Sequence, residues 1–185
     1  MILTSKYGKH LDITCIELQQ EIFELGKESI EYNKLDNIHI INDDINNAPN
    51  LFKEKFDIIS CNPPYFETVS NNFNDNEIKA IARHELKMTL EDCIKVASKL
   101  IEFNGSFYIV HKPERLVDII NYLKQYGFGV KRIANIYTNH EGPAETVLVE
   151  ATFRGKDYVK ILNPIFINDY KSYKGIFEGK WTRWN

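Results

Sequence analysis

One short segment combines residue types that could bind a flat, amine-bearing group. In FDIISCNPPYFE, residues 56–67, an apolar run ends at Asn62, two prolines follow, and Tyr65 and Phe66 come next. The amide oxygen and the carbonyls of a proline-restricted backbone are acceptors, and proline has no N–H to donate. A simple edge turn explains a bare pair of prolines, but it does not explain the flanking amide and rings. The segment predicts a pocket in which oxygens accept the two hydrogens of an NH₂ and a ring covers its face.

Acidic side chains follow two other predicted strands. Glu17 closes the apolar run at 12–18, and Asp43 and Asp44 follow the run at 38–42. Ligands of parallel sheets bind outside the carboxyl ends of the strands, where a carboxylate can accept from ribose hydroxyls or from an adenine amine. Each acid alone could cap a helix or face solvent. Together with the amide at the end of a third strand, they predict a nucleoside-containing cofactor.

Apolar periodicity predicts the elements that carry these residues. Strands are predicted at 12–18, 38–42, 56–61, 106–110, 129–138 and 145–153, and helices at 19–35, 89–103 and 113–126. Strands that alternate with helices predict an α/β fold with a mostly parallel sheet, helices on both faces and a C-terminal antiparallel strand pair. The Asn-rich segment at 66–80 predicts a loop beside a strand end, where a lid could lie.

Length and composition set further limits. The chain has 185 residues, enough to bury a core, and 1–185 is predicted to be one domain. No apolar run approaches the roughly 20 residues that span a bilayer, and the start lacks the apolar core of a secretory signal, so a cytoplasmic location is expected. Cys15, Cys61 and Cys93 do not cluster with the histidines. Buried free thiols and no metal site are therefore predicted.

The C-terminal part differs from the rest in charge. Residues 151–185 hold seven Lys or Arg against three Asp or Glu, and eight aromatic residues lie among them, whereas residues 1–150 are acidic. Cations bind phosphates and rings stack on bases, so this mixture suits a nucleic-acid surface. Composition by itself favours the alternative, in which the aromatics pack a terminal strand pair and the lysines face solvent.

The tetrapeptide NPPY at 62–65 resembles the (Asp/Asn/Ser)-Pro-Pro-(Tyr/Phe/Trp) motif of class I S-adenosylmethionine-dependent amino methyltransferases. ARHE at 82–85 and the segment from 87 to 116 resemble the bacterial methyltransferases that modify N6 of the adenine beside the anticodon of valine tRNA. The resemblance runs from about residue 12 to the C-terminus. It implies a Rossmann-like methyltransferase sheet, S-adenosylmethionine as cofactor and tRNA as substrate.

The resemblance also implies roles on the side of the methyl acceptor. The Asn62 side-chain oxygen and the Pro63 carbonyl would accept from N6–H, and Pro64 completes the motif. Tyr65 would stack on the adenine, and Phe66 would extend that platform. Hydrogen bonds of this kind localise the nitrogen lone pair and stabilise the positive charge that develops on attack.

On the cofactor side, the resemblance places Glu17 at the ribose and Asp44, with the backbone of Ile45, at the adenine. Asp43 is an alternative to Asp44, because both lie in NDDIN. Asn62 would also border the cofactor, since the methyl group must reach the amine that it holds.

Two further residues follow the Asn-rich segment. Arg83 and His84 could contact RNA phosphate or line the target pocket, although Arg83 could equally pair with Glu85 or lie at a helix end. His111, after the strand at 106–110, is expected to be a turn residue.

The chain departs from the family at its start. The glycine-rich loop that approaches the methionine part of the cofactor should lie roughly twenty residues before the ribose-binding acid. Counting about twenty residues back from Glu17 passes the first residue of the sequence, and Gly8 is the only glycine before Glu17. The preceding central strand, between those ending at Glu17 and Asn62, is also missing. We expect either a gap in the sheet or an unusual strand pairing.

Three explanations fit this departure: a truncated sequence, a non-catalytic relative, or complementation by another chain. The intact tetrapeptide favours truncation.

Three alternative functions remain: a glutamine N5-methyltransferase acting on a protein, a DNA adenine methyltransferase, and an RNA-binding module without catalysis. Glutamine enzymes usually continue with an isoleucine and an acidic-proline segment after the tetrapeptide, whereas Phe66 and the Asn-rich segment follow here.

Overall fold

The computed structural model describes residues 10–63, 89–171 and 174. Pro64, Tyr65, Phe66, Arg83, His84 and the segment 66–80 lie outside these ranges. The strands are β1 (Ile13–Glu17), β2 (Ile38–Asn42), β3 (Phe56–Cys61), β4 (Ile101–His111), β5 (Phe128–Tyr137), β6 (Thr146–Phe153), β7 (Lys160–Ile161) and β8 (Ile165–Phe166). The helices are α1 (Gln20–Tyr32), α2 (Ala48–Leu51), α3 (Leu90–Leu100) and α4 (Leu116–Gln125), with 3₁₀ turns at Ile45–Asn47 and Pro113–Arg115.

The described strands form two sheets. β1 and β2 pair in parallel and make the smaller sheet. The larger sheet has the order β3-β4-β6-β5-β7, and β8 also pairs with β5. β3 runs parallel to β4, while β6 is antiparallel to both β4 and β5. The predicted α/β fold, with its parallel strands and C-terminal antiparallel pair, is confirmed, although its strands are divided between two sheets.

The main core lies between the larger sheet and the helices α3 and α4. Ile94 of α3 and Ile119 and Leu123 of α4 are fully buried against Phe107 and Ile109 of β4. The helical residues recur at a spacing of three or four, which places them on one face. Phe128 of β5 stacks at a tilt on Phe107, with ring centroids 5.4 Å apart. Burial of these apolar faces is the main source of the fold's stability.

The helix α3 begins where its sequence predicts, but it ends three residues before the predicted end. The Thr89 hydroxyl accepts from the Asp92 backbone N–H, and the Asp92 carboxylate accepts from the Thr89 backbone N–H, which forms a capping box. The helix was predicted to continue to residue 103, but Ile101 already begins β4 and pairs with Phe56. Ile101 is fully buried between helix and sheet, and this burial outweighs the helical pattern of the residues around it.

A second, smaller core joins the two sheets. Its buried members are Ala48 of α2 and Val96 and Leu100 of α3. Ile16 of β1 and Ile59 of β3 both pack against it. Among the described residues, however, β1 pairs only with β2, and β3 pairs only with β4. Within residues 10–63 and 89–171, β1 and β3 are therefore not paired with each other, which agrees with a gap in the sheet, one of the two expected outcomes.

Two predictions about individual residues were wrong. Cys15 is exposed, because it points away from the second core that its neighbour Ile16 contacts, while Cys61 is half-buried and Cys93 is buried. His111 is the last residue of β4, with a buried side chain, and not a turn residue.

The C-terminal aromatics divide between packing and exposure where the structure describes them. Phe153 packs on Phe128, and Phe166 packs on Tyr137, as the packing alternative predicts. Tyr158 and Tyr170 are exposed.

None of the helices in the described ranges has the length and apolar character needed to cross a membrane.

The packing of the main core predicts that two phenylalanines of β4 contribute very differently to the free energy of unfolding. Phe107→Ala should lower the free energy of unfolding by about 3–5 kcal/mol, because it opens a cavity in a closed core. Phe103→Ala removes a ring that is 69% exposed and should change it by no more than about 0.5 kcal/mol. Urea denaturation followed by circular dichroism measures both, and equal losses would contradict this assignment of the core.

Candidate active site

The carboxyl ends of β1 and β2 are tied together around Glu17. The Asp43 backbone N–H donates to the Glu17 carbonyl at 3.2 Å, and the Asn42 side chain donates to the same carbonyl at 2.8 Å. The half-buried Glu17 side chain accepts from the Gln19 backbone N–H at 2.8 Å through Oε1. The hydrogen bond to one carboxylate oxygen thus fixes the Glu17 side chain at the strand end.

The two aspartates after β2 hold the next turn. Asp44 Oδ1 accepts from the Asn46 backbone N–H at 2.9 Å and caps the 3₁₀ turn that begins at Ile45. Asp43 Oδ1 accepts from the Asp44 backbone N–H at 2.7 Å and from the Asn47 side chain at 2.8 Å. Both carboxylates are half-buried, and each accepts a backbone N–H of the turn after β2 through one oxygen. The choice between them as cofactor ligand therefore stays open.

Asn62 and Pro63, the two residues after the end of β3, differ in their exposure to solvent. Asn62 is exposed and Pro63 is fully buried. β3 ends at Cys61, so its alternation no longer governs Asn62. The arrangement gives an accessible acceptor next to a backbone carbonyl whose residue is anchored in the interior.

A contact between two cysteines supports this strand end. The Cys61 and Cys93 side chains are hydrogen-bonded, which joins the end of β3 to the first turn of α3. The bond with Cys61, together with burial, raises the pKa of the Cys93 thiol, which therefore stays protonated as the donor. The same bond lowers the pKa of the Cys61 thiol. Asn62 thus follows a residue that is fixed from the helix side.

His111 is a residue of this edge that sequence reasoning missed. Cys61 pairs with Ile109 in the parallel ladder, and His111 is the last residue of β4, two residues beyond that pair. The His111 side chain is 1% exposed, and its Nδ1 accepts from the Lys112 backbone N–H at 2.8 Å. Its position directly after the strand predicted at 106–110 was the signal that the sequence offered.

The environment of His111 disfavours its protonation. Burial, followed by the nearby positive charge of Arg115, lowers the pKa of His111 below its ordinary value of 6.5. The carboxylate of Asp118 accepts from Arg115 Nε at 2.7 Å and partly opposes this shift. The neutral imidazole is therefore the form that this strand end holds.

The described residues fit the adenosine half of S-adenosylmethionine. Glu17 and the two aspartates lie at adjacent strand ends and offer carboxylate oxygens to hydroxyl and amine groups. The described ranges contain no glycine-rich turn at this edge that could hold the methionine half. They also contain no cluster of three His, Cys, Asp or Glu side chains suited to a metal ion.

The lowered pKa of His111 predicts a pH-dependent stability. The unfolded chain binds a proton at this residue more readily than the folded protein, so its contribution is full above about pH 6.5 and is lost as the pH falls below that value. His111→Gln should flatten the decline in urea midpoint between about pH 7.5 and 5. His10→Gln, at an exposed histidine, is the control and should keep the wild-type profile. Identical profiles for all three proteins would contradict the assignment.

No family model matches the chain. Curated relatives do match it in sequence. The tRNA1(Val) (adenine(37)-N6)-methyltransferase of Bacteroides thetaiotaomicron is 26% identical over 164 residues, which cover 86% of this chain and 66% of that protein. The enzyme of the same name from Cytophaga hutchinsonii is 24% identical over 69% of this chain and 53% of its own length. The chain thus spans about half to two thirds of the length of these relatives.

Solved structures identify the fold. An Agrobacterium tumefaciens protein described as a predicted O-methyltransferase aligns with 97% of this chain and 82% of its own, with a TM-score of 0.71 and 18% identity. A Listeria monocytogenes protein described as a class I S-adenosylmethionine-dependent methyltransferase aligns with 96% of this chain and 57% of its own, with a TM-score of 0.63 and 11% identity. The chain therefore has the class I methyltransferase fold, and its sequence is similar to that of the tRNA1(Val) adenine-N6 methyltransferases.

Proposed function

We propose that this chain provides the acceptor site and the adenosine-binding half of a cytoplasmic methyltransferase, which transfers a methyl group from S-adenosylmethionine to N6 of an adenine in tRNA. The observation that carries the proposal is the placement of Asn62 and Pro63 at the end of β3, in a fold whose other strand ends bear Glu17 and Asp44. The names of the curated relatives support valine tRNA, in its anticodon region, as the substrate.

The acceptor chemistry follows from the two oxygens of this strand end. The N6 lone pair of adenine is conjugated with the ring, so the free amine is a weak nucleophile. The Asn62 side-chain oxygen and the Pro63 carbonyl accept its two hydrogens and stabilise the positive charge that develops on nitrogen. Pro63, which carries that carbonyl, is anchored by burial, while Asn62 is exposed on the side from which a base would approach. This chemistry needs no strong general base before attack.

The cofactor supplies an electrophilic methyl group when it is bound. Glu17 binds the ribose hydroxyls, and Asp44, with the backbone of Ile45, binds the adenine; Asp43 is the alternative. These residues orient the donor because β1 and β2 place them at adjacent strand ends. In this proposal Asn62 would hold the target amine next to the methyl donor.

The remaining predicted residues would serve the RNA. Tyr65 and Phe66 would stack on the target base after it leaves the anticodon-loop stack, and Arg83 and His84 would contact phosphate. An unpaired loop base is easier to reach than one in a duplex, which agrees with the anticodon region as target. The exposed Tyr170, with Lys174 Nζ 5.9 Å from its ring centroid, adds a cation and a ring that suit RNA.

The proposal predicts a strong effect of one amide. Asn62→Ala should lower the rate of methyl transfer to unmodified valine tRNA about 100-fold, since loss of one preorganised hydrogen-bonding group costs that much in comparable sites. The product, N6-methyladenosine, is measured by mass spectrometry of digested tRNA. Asn121→Ala, at an exposed position of α4, is the matched control and should keep wild-type activity.

Two results would contradict this assignment. Full activity of Asn62→Ala would exclude the proposed role of the amide. Methylation of a glutamine amide in a protein, with tRNA left unmodified, would exclude the substrate.

The cofactor assignment predicts a loss of affinity at Glu17. Glu17→Gln should weaken binding of S-adenosylhomocysteine roughly tenfold or more, because a hydrogen bond to a charged group contributes about 1.5–3 kcal/mol. Titration calorimetry measures this affinity, and Asp43→Asn and Asp44→Asn, titrated alongside, identify the adenine ligand. Glu28→Gln, exposed on α1, is the control. Equal affinities of Glu17→Gln and Glu28→Gln would place the ribose elsewhere.

A further inference from the structure

The chain after β6 turns back onto the start of β5. Gly129 of β5 lies so close to this turn that a Cβ atom there would collide with the Gly155 carbonyl. The Tyr158 backbone N–H donates to the Val130 carbonyl at 3.0 Å, just before β7 begins. Backbone contacts with β5 therefore hold the segment 154–159 in place.

Arg154 occupies the first position of this segment in a strained conformation. Its φ of 58° lies in the left-handed region, which glycine adopts freely and which costs free energy for a residue with a Cβ. Its backbone N–H donates to the Gly127 carbonyl at 2.8 Å, and its guanidinium carbon lies 5.0 Å from the centroid of the Phe153 ring. Because Arg154 is exposed, these contacts hold a guanidinium group at the surface.

Two lysines from other elements converge on the same segment. Lys131 of β5 donates through Nζ to the Lys156 carbonyl. Lys124, near the end of α4, places its Nζ 3.3 Å from Asp157 Oδ2, and its side chain is 58% exposed. The fold therefore adds the cations of a helix and a strand to those of the turn.

Cations outnumber carboxylates at this edge of the sheet. Lys160, at the start of β7, is exposed and pairs in the ladder with Arg132, the residue after Lys131. Asp157 is the one acidic residue of the segment 154–160. An exposed aromatic ring lies in the same segment, since Tyr158 is 68% exposed. This surface, the basic patch, comprises Lys124, Lys131, Arg154, Lys156, Tyr158 and Lys160.

We propose that the basic patch binds the phosphate backbone of RNA. Lysine ammonium groups attract phosphates as point charges, and the guanidinium of Arg154 can donate two parallel hydrogen bonds to one phosphate. The exposed ring of Tyr158 adds a surface on which an unpaired base can stack. The inference rests on the proposed function for the identity of the RNA, which is the tRNA whose adenine reaches Asn62.

The sheet register sets the distance between the basic patch and Asn62. Val130, at the patch, pairs with Ala151 of β6. Phe107 of β4 pairs with both Ala151 and Ile59 of β3. Asn62 follows Ile59 by three residues, and β5 lies three strands from β3, so the separation is roughly 20 Å. Phosphates of one strand recur about every 3.4 Å along a duplex, so the patch reaches the backbone within roughly six nucleotides of the target.

An anionic membrane surface fits these cations less well than RNA does. Stable attachment to a membrane usually takes an amphipathic helix or an acyl chain in addition to a basic cluster. The basic patch is built on a turn and a strand edge. The names of the curated relatives also favour RNA, because they specify a tRNA as the substrate.

A charge-removing double variant tests the basic patch. Lys124→Gln combined with Lys156→Gln removes two exposed cations, so circular dichroism should show an unchanged fold. The affinity for unmodified valine tRNA is measured by fluorescence anisotropy at several KCl concentrations. We expect binding at least about tenfold weaker near 0.1 M KCl, and a slope of log affinity against log salt that is smaller by about two.

The matched control makes the same change in net charge elsewhere. Lys27→Gln on α1, combined with Lys53→Gln in the loop before β3, also removes two exposed lysines. This control should keep the wild-type affinity and the wild-type salt slope. Equal losses in the two double variants would show only a general effect of net charge and would overturn the proposal.

A third variant should change the affinity in the opposite direction. Asp157→Asn removes the carboxylate that pairs with Lys124, while its amide oxygen can still accept from the Val130 backbone N–H as Asp157 Oδ1 does at 3.1 Å. We expect tRNA to bind about threefold more tightly or better, because one more phosphate contact becomes available. Unchanged or weaker binding would contradict the patch.

A lipid assay separates RNA from the other polyanionic surface. Vesicles of phosphatidylserine and phosphatidylcholine are sedimented with the wild-type chain and with the patch double variant. Vesicle binding that this variant loses, with no change in its tRNA affinity, would assign the patch to a membrane and overturn the proposal. Loss of tRNA affinity without vesicle binding by the wild type supports it.

Failure of the proposed function is separable, because tRNA binding requires no catalysis. The predicted affinity changes, in a protein that forms no N6-methyladenosine, would support the patch and contradict the tRNA methylation. Methyl transfer with the same tRNA KM in the patch and control variants would support the function and contradict the patch. A higher KM in the patch variant alone would support both.

Discussion

The packing of Ile59 is the contact on which both halves of the structure depend. This one side chain of β3 touches the main core and also the small core of Ala48, Val96 and Leu100. Because the side chains of a strand alternate, the inward direction of Ile59 sets the outward direction of Ile58 and the half-buried position of Cys61. The strand therefore delivers Asn62 to the surface at a place that both cores determine.

The candidate site is a set of strand ends whose flexible groups are fixed by short hydrogen bonds. One carboxylate oxygen of Glu17 and one of each aspartate are used within the loops that carry them. The hydrogen bond with Cys93 of α3 fixes Cys61, the residue before Asn62, and Pro63 is buried. An exposed acceptor on a rigid base can meet a large substrate without first losing conformational freedom, which is the usual advantage of preorganisation.

Local patterns predicted the elements well where burial and turn chemistry agree. The bounds of β2 and β3 match their apolar runs, and α3 starts at the predicted Thr89 cap. The end of α3 was wrong because Ile101 gains more from burial under the sheet than from one more helical turn. Cys15 was expected to be buried because its neighbours are apolar, but it lies on the strand face opposite Ile16, which packs on the second core, and it is exposed.

The sequence by itself determined the α/β class, the order of the elements and the residues able to accept hydrogen bonds from an amine, because these depend on period, turn residues and side-chain chemistry. Only the tertiary structure decided that β1 and β3 are not paired with each other among the described residues, that Asn62 is exposed while Pro63 is buried, and that burial lowers the pKa of His111. These features depend on contacts between Ile16, Ile59 and α3 that are distant in sequence. No local pattern specifies such contacts, because their free energy arises only when separate elements share one core.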